Sequence, residues 1–355
     1  MSSESLEGLE SPEGFNIVVN QPSLSSDGPK SNKPWTYLTM FKVTCQGSDK
    51  IRCPVYANGR QQIPIQINIE ARDEDGVVVD VNHGRLYLNL VLYDDVEVFP
   101  KELGRSGSEN SKYIYQWPIG NAPATACELA HGSLPFEDVE STQTVMQFVT
   151  ANKVGTYKLG ARCRSPGWVL FTTTTPNPSR GKFDSWLLID AREPVPMPWD
   201  EFGMSREDAY NSREWDLDLY YIYFKDVNLR IVDSVSYGSA VHDMPHYSWN
   251  KGGKQIHHVT YRANERRMVR HRSCADPSNY LNFYVNSRAG QATAARVTDT
   301  RPCGSFHSDP RVMGYINQYG NESRVMIKGS SDGNTLHLRD PHSKDEDPVE
   351  GESGE

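Results

Sequence analysis

Residues 62–70 read Gln-Ile-Pro-Ile-Gln-Ile-Asn-Ile-Glu, with an isoleucine at every second position. Only an extended strand sorts neighbours by parity. Ile63, Ile65, Ile67 and Ile69 therefore belong on one buried face, and the polar residues between them on a wet one. Comparable runs occupy 37–44, 77–81, 85–93, 145–150, 155–163, 168–175 and 184–191 in the first half. In the second half they occupy 215–224, 228–235, 281–286, 291–297, 312–317, 324–328 and 335–338. Turn residues punctuate them, as in Asp73-Glu-Asp-Gly76, Ser287-Arg-Ala-Gly290 and Asp332-Gly333. This pattern predicts a mostly β chain: two antiparallel β-sandwich-like domains with disordered termini.

A length of 355 residues exceeds what one core usually organises, so about two domains are expected. The first is assigned to 35–193. Pro194-Val-Pro-Met-Pro-Trp199 then breaks the strand pattern and opens a Pro-rich linker over 194–214. Within it, Met204 to Tyr210 offers a short helix, with Ser205 as N-cap and Asp208 three residues on. A second β-rich domain covers 215–340. Residues 1–34 and the acidic stretch 341–355 carry too little apolar surface to offset the entropy of ordering, and both are expected as disordered tails.

A net charge of −9 argues against nucleic acid as a partner. No run approaches the roughly 20 apolar residues of a membrane-spanning helix. No cationic flank precedes an apolar run at the N-terminus, so no Sec-type signal peptide is expected. A cytoplasmic product is the default, with leaderless export or release by lysis as other routes. Cys45, Cys53, Cys127, Cys163, Cys274 and Cys303 are then expected mainly as buried free thiols. Cys45 and Cys53 are close enough in sequence for a hairpin-type bridge. No motif demands a cofactor.

Cys53-Pro-Val-Tyr-Ala-Asn-Gly59 and Ala71-Arg-Asp-Glu-Asp-Gly76 place an Ala-Asn-Gly turn and an Asp-x-x-Gly turn around the isoleucine strand, and Gly155-Thr-Tyr-Lys-Leu-Gly-Ala161 adds a Gly-Thr-Tyr run. Across 53–163 these features resemble the bacterial Ig-like domains of invasin and intimin type. The resemblance implies an Ig-like sandwich for 35–193. No family is recognised for 200–340.

Arg262, Arg266, Arg267 and Arg270 form a basic cluster with Arg272 nearby, Lys251 and Lys254 upstream and Tyr261 beside it. Such a cluster can grip an anion or an acidic partner. Trp117 and Trp249 read as loop residues that offer aromatic faces to a ligand, whereas Trp168, Trp186 and Trp215 fall in strand patterns and suit a core. His271-Arg-Ser-Cys274 and Cys303-Gly-Ser-Phe-His307 have spacing suited to zinc, opposed by the flanking arginines. His242, His246, His257 and His258 read as loop general-base candidates, yet no Gly-x-Ser-x-Gly, His-Glu-x-x-His or phosphate-loop motif accompanies them. Thr172 to Thr175 fit a membrane-inserting hairpin as well as an ordinary edge strand.

The leading expectation is a non-enzymatic binding or structural protein that recognises a protein or glycan partner through loops in 100–136 or 240–278. The alternatives are a leaderless, membrane-active toxin or effector, and a hydrolytic or metal-dependent enzyme with a His-rich site in the second half. Oligomeric state is not legible in the sequence.

Overall fold

A computed structural model describes residues 30–45, 52–81, 86–115, 142–174, 183–237, 243, 245–301, 304, 306–307 and 311–343. The described residues are mostly strand, paired in several antiparallel sheets. None of their helices is long and apolar enough to cross a membrane, which says nothing of a β-barrel. The chain divides into two compact units: Met1–Asn110 with Tyr115–Arg192, and Ser111–Ile114 with Glu193–Glu355.

The first unit contains β1 (Tyr37–Cys45), β2 (Arg52–Tyr56), β3 (Ile63–Arg72), β4 (Tyr87–Leu92), β5 (Leu103–Ser106), β6 (Gln143–Ala151), β7 (Gly155–Arg164), β8 (Leu170–Thr172) and β9 (Leu187–Arg192). One sheet runs β1-β3-β6-β5; the other runs β2-β9-β7-β4, with β8 on β7. All pairs are antiparallel except β2 with β9. The isoleucines of β3 share one core with Leu90, Leu159 and Ile189 of the other sheet, so the two sheets bury their apolar faces together. The opposite face of β3 is not wet along its length. Asn68 and Glu70 are buried in a polar ladder, where Gln66 and Thr144 donate to Asn68 and Thr39 and Arg72 donate to Glu70. Strands flank β3 on both sides, and their polar side chains cover it.

At the far end of β3, Gly76 takes φ +82° while Asp73 accepts from the backbone of Asp75 and Val77. Residues 30–34, expected in the tail, meet this region: the Ser31 amide donates to the Val78 carbonyl. Residues 1–29 and 344–355 lie outside the described residues.

The second unit contains β10 (Phe202–Asn211), β11 (Trp215–Phe224), β12 (Ile231–Tyr237), β13 (Pro245–Lys251), β14 (Lys254–Thr260), β15 (Arg267–Arg272), β16 (Tyr280–Val285), β17 (Ala292–Asp299), β18 (Phe306–His307), β19 (Arg311–Asn317), β20 (Glu322–Gly329) and β21 (Leu336–Arg339). A six-stranded sheet runs β10-β11-β17-β14-β13-β18, a four-stranded sheet β12-β19-β20-β21, and β15 and β16 form a two-stranded sheet. The central strands of the six-stranded sheet, β11, β17 and β14, are buried on both faces. Ile222, Ala292 and Ala294 pack with Met313, Tyr315 and Ile327 of the four-stranded sheet. Leu217, Val259 and Val297 pack with Phe283 and Val285 of the two-stranded one. A strand covered on both sides has no wet face, and β17 is buried throughout.

Two expectations are corrected here. Met204 to Tyr210 form no helix: they belong to β10, which pairs with β11 along its length, and Gly203 lies so close to the Tyr223 ring that an added Cβ would sit 2.4 Å from it. Residues 240–278, expected to supply binding loops, hold β13, β14 and β15.

Candidate functional site

β15 and β16 pair through six residues each, from Arg267 opposite Val285 to Arg272 opposite Tyr280. Leu281, Phe283 and Val285 turn inward, where the Phe283 ring meets Tyr261 edge-on at 6.0 Å. Strand parity then sends Met268, Arg270 and Arg272, with Tyr280, Asn282 and Tyr284, to the outer face. Met268, Tyr280 and Tyr284 are 57%, 44% and 47% exposed. The Arg270 guanidinium lies 4.2 Å from the centre of the Tyr280 ring, and that of Arg266 lies 3.9 Å from Tyr284. Each guanidinium lies against its ring, and the Arg270 Nε also donates to Asn282 at 3.4 Å. Among the described residues, Arg266, Arg270 and Arg272 have no ion-pair partner.

The structure thus places two of the four predicted arginines on this face. Arg267 has the opposite parity and pairs with Asp243. Arg262 precedes the strand and pairs with Asp233, which also holds Lys112 at 2.9 Å. Trp249 is not a loop residue but lies on β13, half-buried, where the Gly333 turn packs against its ring. Trp117 lies outside the described residues. Arg272, named beside the cluster, shares this face, and Met268, Tyr280 and Tyr284 are the members that the sequence did not announce. Their signal is the parity they share with Arg266, Arg270 and Asn282 once 266–272 is read as a strand.

His257 and His258 are strand residues of β14, 4% and 1% exposed, and His271 is on β15. Burial pushes all three imidazoles down to about 4. His258 shares a hydrogen bond with the Gly333 carbonyl at 3.0 Å, while neither ring nitrogen of His257 has a partner. His257 stacks at a tilt on His271, 5.1 Å away, inside the layer beneath the hairpin. His257 and His258 thus lie on a buried strand and His271 on β15, which corrects the placement of His257 and His258 in a loop. His242 lies outside the described residues.

Cys274 is in a disulfide, so it offers no thiolate to zinc, while Cys45, Cys53 and Cys163 are free. His271, its would-be co-ligand, is turned into the core. Cys303 and the side chain of His307 lie outside the described residues. Asp208, Asp216 and Asp218 bring carboxylate oxygens within 4.8 Å of one another. Arg206 and Arg296 already pair with two of the three carboxylates, at 2.9 Å from Asp218 and 2.8 Å from Asp216. Thr172, Thr173 and Thr174 are buried, and Thr175 lies outside the described residues.

No family model matches the chain, and no curated protein matches it. Among solved structures it is similar to the Yersinia pseudotuberculosis adhesin InvE, with 12% identity and a TM-score of 0.19 over 81% of this chain and 59% of that one. It is also similar to domains 5–6 of the S-layer protein SbsC, with 11% identity and a TM-score of 0.19 over 82% of this chain and 98% of that one. The chain spans about three fifths of the InvE structure. Both superpositions are too loose to carry a functional argument.

Proposed function

We propose that the chain is a non-enzymatic binding protein that engages the acidic surface of a protein partner through the outer face of the β15–β16 hairpin. The observation that carries this reading is the exposed set of Met268, Tyr280 and Tyr284 interleaved with the unpaired Arg266, Arg270 and Arg272. Tyrosine, methionine and arginine are the types enriched where proteins meet, and a tyrosine buries a large area at low cost in side-chain entropy. Arg266 and Arg270 already cover one face of each tyrosine ring, which leaves less aromatic surface for a sugar to stack on. In a chain of net charge −9, a basic face also attracts an acidic partner selectively.

Affinity capture with the wild type and with Arg266→Glu/Arg270→Glu tests the reading, alongside a glycan array. Partners held by the wild type at low salt and lost by the variant are expected. Partners retained equally by the variant contradict it, and so does array binding that the variant abolishes with no protein captured.

A further inference from the structure

The layer between the six-stranded and four-stranded sheets of the second unit contains a charge with no counter-charge among the described residues. Arg311, the first residue of β19, is 2% exposed, and among the described residues none of Nε, Nη1 or Nη2 has a hydrogen-bond partner. Its parity matches that of Met313 and Tyr315, and it sits opposite Ile327 of β20, so it points into that layer. The Tyr315 hydroxyl is fully buried and also lacks a partner. From the facing sheet, Thr260 of β14 pairs with Ala294 of the same core, and its buried hydroxyl is unpartnered too. His258, two residues before Thr260, packs against Gly329, two residues beyond Ile327, so β14 and β20 are in contact at this level.

A guanidinium buried without an anion is strongly unfavourable, whereas two oxygens of a carboxylate or a phosphate match its fork with two parallel hydrogen bonds. Tyr315 and Thr260 are further O–H donors. We infer that Arg311, Tyr315 and Thr260 line an internal oxyanion site that takes a small phosphate- or carboxylate-bearing ligand. The site is separate from the β15–β16 face, and neither reading depends on the other.

Thermal melts in inorganic phosphate, titrated at constant ionic strength against chloride, test this. The wild type is expected to show a saturable rise, about 5 to 10 °C at a hundredfold excess over the half-saturating concentration. Arg311→Met should show only the small, unsaturable rise that phosphate gives any protein, and in phosphate-free buffer it should melt at or above the wild type. Tyr315→Phe keeps the core shape and should raise the half-saturating concentration several-fold, which preserves the test if Arg311→Met does not fold. Acetate in place of phosphate separates the two ligand sources: either giving the same saturable, Arg311-dependent rise supports the site. No saturable rise with either anion overturns it, as does a rise that Arg311→Met or Tyr315→Phe leaves unchanged. A wild type indifferent to both anions and more stable than Arg311→Met would place the counter-charge within the chain.

Discussion

Ile65 and Ile67 have no exposed surface, so Ile65→Asp or Ile67→Asp should cost several kcal/mol, about half the stability of a typical domain. The other face of β3 is graded. Asn68 is buried and accepts from Gln66 at 3.0 Å and Thr144 at 2.9 Å, so Asn68→Ala should cost about 1–3 kcal/mol by stranding two donors. Gln66→Ala, at a half-buried position, should cost about 1 kcal/mol or less. Urea denaturation of these variants should return that order, and equal losses at Asn68 and Gln66 would contradict the polar ladder. The histidines set a pH dependence. His257, His258 and His271 are held at about 4 by burial, against an unfolded value of about 6.5. Between these values the unfolded chain binds more protons, so their contribution is complete above pH 6.5 and is lost as the pH falls towards 4. The loss reaches about 3 kcal/mol per fully shifted histidine. Denaturation at pH 7.5, 5.5 and 4.5 should show it, with His258→Gln flattening the slope; a slope unchanged by that variant would count against it.

The β15–β16 hairpin has one buried and one exposed face, and the two should respond differently. Phe283→Ala should cost about 3–5 kcal/mol by emptying core volume, while Tyr284→Ala next to it should cost well under half as much. Circular dichroism melts of the two variants would show the contrast, and matching losses would mean that the outer face is covered. This element also shows what the sequence conveys and what it does not. Tyr280 to Val285 alternate cleanly and are legible as a strand, but β15 carries arginines, a histidine and a methionine that resemble a solvated loop. Its strand character comes from its pairing with β16, a contact no local pattern announces. β14 was hidden in the same way, because a strand buried on both faces does not alternate, and His257 and His258 read as loop residues. β10 has the local composition of a helix start, yet pairing with β11 decides its conformation. The Arg266–Arg270 part of the face was legible from charge, whereas Tyr280 and Tyr284 required the register. Arg311 gave no signal at all, because its burial depends on a strand 50 residues away.

Across the whole molecule, the disulfide at Cys274 distinguishes a reducing from an oxidising environment. Reduction should lower stability by about 2–4 kcal/mol, seen as an earlier transition in dithiothreitol, and Cys274→Ser should abolish that response. A melt indifferent to reductant would mean that the bridge does not support the fold. The net charge of −9 makes the basic hairpin face a local exception, and that exception is the basis of the functional reading. Its most direct test is the affinity of a captured partner for the wild type and for Arg266→Glu/Arg270→Glu, measured by calorimetry at two salt concentrations. The account predicts a loss of at least about tenfold in the variant, a weaker salt dependence, and an unchanged melting temperature. Equal affinity and equal salt dependence in the two proteins would contradict it.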